Sequence, residues 1–415
     1  MQNIVKIGIA GLGNVGKSVY QIASKINKVQ IVAVSAKTPK DFIADNIKFY
    51  QNPLDLACDP EIDIVIELIG SYETAKQLII TALQQQKKVI TANKALLATC
   101  GYELANIAHQ HNSVIAYEAA VAGSIPIIKN FQQGFVANQI SEIYAILNGT
   151  CNFILTKMSS EKQDFLPALA LAQQLGFAES DPTFDIEGID TAHKICLLSA
   201  LAQKCRPDFN NMYIEGITKI SANDINLADQ LGYKIKLLAI YKQQQSGIQQ
   251  YVYPALVKKD SKIGQVDSSY NCILTKGNYF DYNFIVGRGA GGDPTASAVI
   301  ADLFDLINGT YSSNLFSCKP ADLQNANILP IKSRVGNYFI RLDIDRANGL
   351  YDLSTIFEGK IECKQASFID LGNNKIACGI ITDTATEQAI INILELLDKT
   401  FVIAAKFIRI EDIDF

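Results

Sequence analysis

At 415 residues the chain is too long for one ordinary domain and long enough for two or three, each with its own core. Apolar residues make up 48%, charged residues 19%, and the formal net charge is −5, which excludes a polyelectrolyte surface and with it nucleic acid as the main partner. No apolar run reaches the length of a membrane span, so no membrane partner is expected.

Met1-Gln2-Asn3, followed by Ile4, lacks the basic start of a signal peptide and reads as the approach to a first strand. Nine cysteines are scattered singly with no C-x-x-C pair, so a reduced, cytoplasmic compartment is expected. His109 and His111 have no cluster of ligands beside them and read as a solvated helix face rather than a metal site.

The first third alternates short β-branched runs, at residues 5–10, 31–35, 62–68, 89–92 and 114–117, with segments long enough for crossover helices. That order predicts an α/β fold with a Rossmann-type, doubly wound parallel sheet over residues 1–130. Gly11-Leu12-Gly13-Asn14-Val15-Gly16 follows the first strand and opens a helix, the context in which G-x-G-x-x-G binds a dinucleotide. The first glycine allows the tight turn, the second admits a pyrophosphate to the backbone, and the third lets helix and strand pack closely. The helix N-terminus supplies the anion site.

The second strand ends at Ser35-Ala36-Lys37, where an NAD-selective site usually places an acid against the ribose 2′-hydroxyl. Lys37 tolerates a 2′-phosphate instead, so NADP is expected, with NAD as the second option. The alternative is a solvated loop lysine. The fourth strand runs into Thr91-Ala92-Asn93-Lys94, which puts Lys94 at the carboxyl end of a parallel strand, facing the crevice where such sheets bind ligands. Most lysines, however, only solubilise a surface.

Beyond the first domain, helical stretches at 166–175 and 191–203 mix with strand-like runs at 251–257 and 271–276. This predicts an α+β substrate and dimerisation domain over 131–310, with the chain returning to the first domain at about 285–310. Residues 179–194 concentrate carboxylates just before a helix, and Asp190 and Lys194 stand four apart on one face of it. A substrate site and a surface ion pair on an acidic helix start both fit that spacing. Residues 311–333, rich in Ser, Asn, Lys and Pro, are expected to form a linker. The last segment, 334–415, runs strand 338–344, helix 350–358, strands 361–370 and 376–382, helix 387–397 and strand 402–410, a ferredoxin-like order.

Six motifs stand in order and at the spacing of one family: Ile66-Glu67-Leu68-Ile69-Gly70, residues 91–97, Glu118-Ala119-Ala120-Val121-Ala122-Gly123-Ser124-Ile125-Pro126, Asn148-Gly149-Thr150, residues 179–194, and Gly287-Arg288-Gly289-Ala290-Gly291-Gly292-Asp293-Pro294-Thr295-Ala296. Over essentially its whole length the chain resembles the homoserine dehydrogenases. The resemblance implies an NAD(P)-dependent oxidoreductase acting on a CH-OH group, which interconverts L-aspartate 4-semialdehyde and L-homoserine in threonine, methionine and isoleucine biosynthesis.

It further implies that Lys194 is the catalytic acid and base and touches the substrate, that Lys94 assists near the reacting oxygen, and that Glu179 and Asp190 hold the substrate. Thr91 and Gly291 join the glycine loop, Lys37 and Lys94 around the cofactor. A lysine acid working near neutrality needs a second ammonium or desolvation beside it, the part expected of Lys94. A monovalent cation, sodium in the family, is implied at Glu118, Val121, Gly123 and Ile125, three of which offer only backbone ligands. Residues 334–415 resemble an ACT domain, which implies an amino-acid effector, threonine, near Asp345 and Gly349, and self-association as a homodimer or homotetramer. A purely structural dimerisation unit is the alternative.

The sequence departs from the family pattern in small ways: the second strand lacks the arginine of many relatives, and Asn348 stands where proline is commoner. Two rival readings remain. Another Rossmann dehydrogenase of the aspartate pathway would share the glycine loop but not Glu179, Asp190 and Lys194. An amino-acid-sensing binding protein would not need both lysines and every cofactor glycine.

Overall fold

The computed structural model describes residues 4–348, 357, 361–397 and 399–413. They gather into two compact units: Met1–Glu142, Ala192–Asn211 and Leu274–Asn327 form the first, and Ile143–Thr191, Met212–Ile273 and Ile328–Phe415 the second. Among the described residues no helix is long and apolar enough to cross a membrane.

In chain order the first unit opens with β1 (Val5–Ala10), α1 (Asn14–Ala23), β2 (Val29–Ser35), β3 (Lys48–Tyr50), α2 (Pro53–Cys58), β4 (Ile64–Glu67), α3 (Tyr72–Gln84), β5 (Lys88–Thr91), α4 (Lys94–Gln110), β6 (Ile115–Ala116) and the short α5 (Ile127–Lys129). The strands form a parallel sheet in the order β3-β2-β1-β4-β5-β6. Order reverses between β1 and β4, so the carboxyl ends of these two strands flank the switch point where such sheets take ligands. All four residues of β4 are buried, as in a parallel strand covered on both faces, which is why these strands read as continuous apolar runs. The edge strand β3 was not expected from the sequence. It is three residues long, and Lys48 and Tyr50 hold it by donating to Asp59.

The chain continues with β7 (Ile140–Ile146), α6 (Gly149–Glu161), α7 (Phe165–Gln174), α8 (Thr183–Ile186), α9 (Ile189–Gln203), β8 (Tyr213–Ile214), α10 (Ala222–Gln230), β9 (Tyr233–Gln244), β10 (Gly247–Lys258), β11 (Tyr270–Gly277), β12 (Asp281–Arg288) and α11 (Gly292–Asn308). From Leu274 the chain belongs to the first unit again, and in α11 Ala296, Val299 and Leu303 share a core with Val19, Tyr20 and Ala23 of α1.

The C-terminal elements are β13 (Val335–Gly336), β14 (Tyr338–Asp345), β15 (Cys363–Gly372), β16 (Lys375–Thr382), β17 (Ala385–Thr386), α12 (Glu387–Glu395) and β18 (Val402–Ile410). Strands β18-β14-β16-β15 form an antiparallel sheet in that order, the arrangement a ferredoxin-like unit requires. The helix expected at 350–358 lies outside the described residues except for Phe357, which is buried in this unit's core.

This sheet does not stand apart. Strand β18 also pairs, in parallel, with β10 through Ala255 with Arg409 and Leu256 with Ile410, so strands β18, β14, β16 and β15 extend the β9–β10 sheet of the second unit. The stretch expected as a linker is anchored as well. Phe316 is fully buried in the first unit, where a side chain on Gly101 would come within 2.8 Å of its ring, and Tyr251 donates to the Leu329 carbonyl in the second.

Candidate active site

The glycine loop has the geometry its three glycines were expected to provide. Gly11 adopts φ +96°, and a Cβ there would lie 2.3 Å from the Leu68 carbonyl oxygen. A Cβ on Gly16 would meet the Gly11 carbonyl oxygen at 1.9 Å, so helix and strand are packed to the limit of bare backbone. Gly13 is different: nothing lies within 4 Å of its missing Cβ, which leaves open space over the start of α1. No side chain caps that helix and its first turn holds no acid.

Beside the loop is a cleft of 420 Å³ lined by Gly11, Leu12, Gly13, residues 35–38, Lys40, Gln51, Pro53, residues 68–71 and Thr74. Backbone on one wall, two lysines at the end of β2 and no acid among the lining residues suit the phosphates and ribose of a dinucleotide. Gly291, at φ +120°, caps α11, and the next residue packs on the glycine loop: a Cβ on Gly292 would lie 3.2 Å from the Asn14 carbonyl oxygen. Ser18 of α1 donates to Asp293 at 2.7 Å. Gly291 thus directly precedes the residue that meets Asn14.

Thr91 and Lys94 do not line this cleft; they sit at the end of β5 and the start of α4. A residue given no role from the sequence joins them to it. Glu67, fully buried at the end of β4, accepts from the Ile69 N–H on one carboxylate oxygen and from the Thr91 hydroxyl on the other, both at 2.6 Å. Thr91 Oγ1 accepts in turn from the Asn93 N–H at 3.0 Å, and Asn93 caps α4 by accepting from Leu96 N at 3.1 Å. Burial raises the Glu67 carboxyl to about 7 against the two hydrogen bonds that hold it down. The sequence signal was an acid ending an otherwise apolar parallel strand.

On α9, Asp190 and Lys194 are one turn apart, and their exposures are 5% and 7%, so an exposed surface pair does not describe them. Asp190 belongs to the second unit and Lys194 to the first. The Asn148 side-chain amide donates to Asp190 at 2.9 Å and to Asp185 at 2.7 Å, while its Oδ1 caps α6 by accepting from Cys151 N. Glu179 is exposed, in the loop between α7 and α8. Next to Lys194, His193 is buried with its ring stacked on Phe209 at 4.3 Å.

Glu118, Val121, Gly123 and Ile125 fall within one buried turn. Glu118 accepts from the Ile128 and Lys129 N–H groups, and burial still pushes its carboxyl up to about 7. Ala122 and Gly123 both have positive φ, and Ser124 ties the turn to the Arg288 carbonyl with its N–H and its hydroxyl. Among the described residues no three His, Cys, Asp or Glu side chains form a metal cluster. Asp345 accepts from Ala347 N and closes the turn after β14; Gly349 lies outside the described residues.

Residues 11–118 match the protein-family model for the NAD-binding domain of homoserine dehydrogenase, and residues 126–304 match the homoserine dehydrogenase model. The homoserine dehydrogenase of Pseudomonas aeruginosa is 36% identical over 98% of both chains, and that of Helicobacter pylori 34% identical over 99% of this chain and all of its own. The crystal structure of the Thiobacillus denitrificans enzyme superimposes with a TM-score of 0.91 at 35% identity, over 99% of this chain and 100% of that one. A hyperthermophilic archaeal homoserine dehydrogenase in complex with NADPH matches 75% of this chain and 99% of its own, with a TM-score of 0.65 at 26% identity. With the glycine loop, the switch-point cleft and these relatives in agreement, the chain belongs to the homoserine dehydrogenase family, oxidoreductases that act on a CH-OH group with a nicotinamide cofactor.

Proposed function

We propose that Lys194 is the acid and base by which this chain interconverts L-aspartate 4-semialdehyde and L-homoserine, with Lys94 beside the reacting oxygen and Glu179 and Asp190 on the substrate ammonium. The observation that carries this reading is the burial of Lys194 and Asp190 one turn apart on α9, with Asp190 held by Asn148. A carboxylate is the natural partner of the substrate ammonium, and a lysine one turn further along the same helix is placed to handle the proton. When bound, the cofactor supplies or accepts the hydride. The chain's own work is to give a proton to the aldehyde oxygen in reduction and to take it from the homoserine hydroxyl in reverse. NADPH and NADH oxidation with aspartate 4-semialdehyde tests the reading, and no turnover with either would overturn it.

The preferred cofactor is NADPH, with NADH as a second, because Lys37 and Lys40 line the cleft and no acid does. A sodium ion on Glu118, Val121, Gly123 and Ile125 suits a donor set made of oxygen atoms, as hard cations require. Sodium raising the melting temperature above that in choline salt is the expected readout. Threonine as effector near Asp345 and Gly349, and a homodimer or homotetramer, rest on the ACT resemblance of the ferredoxin-like unit. No disulfide joins any of the nine cysteines, which supports a reducing cytoplasm, and the biosynthetic pathway to threonine, methionine and isoleucine follows from the family.

A further inference from the structure

We propose that Glu67 is a positioning residue that sets the cofactor-cleft wall and the start of the Lys94 helix together, through Ile69 on one carboxylate oxygen and Thr91 on the other. The inference rests on the proposed role of Lys94. Glu67 ends β4 beside the switch point with no exposed surface. A carboxylate there costs free energy unless both oxygens are bonded, and a β-branched apolar residue would end the strand without that cost. Both oxygens are used, on donors from two different loops.

The first loop, residues 68–71, forms part of the cleft wall, and its Leu68 carbonyl fills the space that Gly11 leaves by lacking a side chain. The second begins α4. The Thr91 hydroxyl donates a hydrogen bond to Glu67 and accepts one from the Asn93 N–H, and Asn93 caps the helix whose first residue is Lys94. Each bond in this series is 2.6 to 3.1 Å long, and every donor is a backbone N–H or a hydroxyl fixed at a strand end. Displacing Glu67 therefore moves the cofactor loop and the Lys94 helix together. Glu67 itself touches neither substrate nor cofactor.

The test compares Glu67→Gln, Thr91→Val, Lys94→Ala and the double variant Glu67→Gln with Lys94→Ala, reading kcat, the KM for NADPH and the melting temperature. Glutamine keeps the volume and one acceptor, but presents an NH₂ where Thr91 needs an acceptor. Glu67→Gln should lower kcat about tenfold and raise the KM for NADPH several-fold, since a misplacement of about 1 Å costs up to 10²-fold in rate. Thr91→Val should repeat the kcat loss, and Glu67→Gln should cost no further kcat once Lys94 is alanine. A purely structural Glu67 would lower the melting temperature and leave kcat and KM of the folded enzyme unchanged, which overturns the proposal. Full multiplication of the two kcat losses in the double variant overturns it too. If Glu67→Gln does not fold, Thr91→Val decides, and wild-type kcat there is fatal. Wild-type turnover in Lys94→Ala would remove Lys94 from the mechanism; Glu67 is then judged by the NADPH KM, which must still rise.

Discussion

Asn148 holds Asp190 from outside its own helix: one side-chain amide at the start of α6 donates to Asp190 at 2.9 Å and to Asp185 at 2.7 Å. The same residue caps α6 through its Oδ1, so the position of the acid depends on a helix start more than 40 residues earlier, with a separation of 42. Asn148→Ala takes a donor from each acid and removes the cap, for an expected loss of about 1–3 kcal/mol. Because Asp190 is proposed to hold the substrate, the KM for homoserine should rise several-fold while that for NADPH stays put. Equal changes in both would detach Asn148 from the substrate site.

The buried acid Glu411 ties the last strand to the rest of the second unit. It accepts from Lys242, Tyr253 and Arg334, all within 2.7 to 3.2 Å. Burial alone would push its carboxyl up, but the Lys242 and Arg334 charges hold it at about 2, below its ordinary 4.5. A depressed carboxyl stabilises the fold above the unfolded value, and that contribution is lost as pH falls from about 4.5 towards 2. Glu411→Gln should cost about 3–5 kcal/mol at neutral pH by leaving the cations unpaired, and should flatten the acid limb of the stability curve. Unchanged melting temperatures at pH 7 and at pH 4 would refute this.

Local periodicity made the first sheet, the glycine loop, and the four strands and second helix of the C-terminal unit legible, because each depends on residues close in sequence. The pairing of β18 with β10 was not legible. Ala255 and Arg409 are partners 154 residues apart, and nothing in either strand's alternation names the other. For the same reason residues 334–415 read as a separate domain, whereas removing them would uncover the β10 edge and the Tyr253 and Lys242 partners of Glu411. Spacing placed Asp190 and Lys194 on one helical face but could not tell a buried pair from an exposed one. Glu67 and Asn148 stood inside recognisable motifs, yet Thr91, Asp185 and Asp190, the partners that give them a task, lie 24 to 42 residues away, so residue type alone did not reveal it.

Cofactor choice should turn on the end of β2. Lys37 and Lys40 line the cleft with no acid opposite, so Lys37→Glu should lower kcat/KM with NADPH by about tenfold or more through repulsion of the 2′-phosphate, and leave NADH use level or improved. Equal losses with both cofactors would mean that Lys37 serves the loop fold and not the phosphate.

Raised carboxyls act on stability in the opposite sense to Glu411. Burial lifts Glu67 from 4.5 to about 7, so between those values the folded chain keeps a proton that the unfolded chain has released. Stability from this group is complete below about 4.5 and falls as pH rises through about 7. Glu67→Gln, which cannot ionise, should remove that descent, making the melting temperature of the variant less sensitive to pH between 5 and 8 than that of the parent. An identical slope in both would place the titration elsewhere.

Lys194 decides the catalytic reading. Its side chain is buried, with 7% exposure, one turn beyond the equally buried Asp190, so the small contribution of an exposed helix ion pair, about 0.3–0.5 kcal/mol, is the wrong scale for it. If Lys194 transfers the proton, Lys194→Ala should cut turnover by roughly 10²- to 10⁴-fold, because a developing alkoxide is left without its acid. The glycine loop and the lysines of the cleft are untouched by that change, so NADPH affinity should hold within a few-fold. A lysine kept only for packing makes a different forecast: a lower melting temperature, and turnover per folded molecule close to the parent's. Lys194→Met preserves the apolar stem while removing the ammonium, and so separates the two. Folded Lys194→Met with parental turnover would take Lys194 out of the mechanism, whereas a dead but stable, NADPH-binding variant would leave proton transfer as its task.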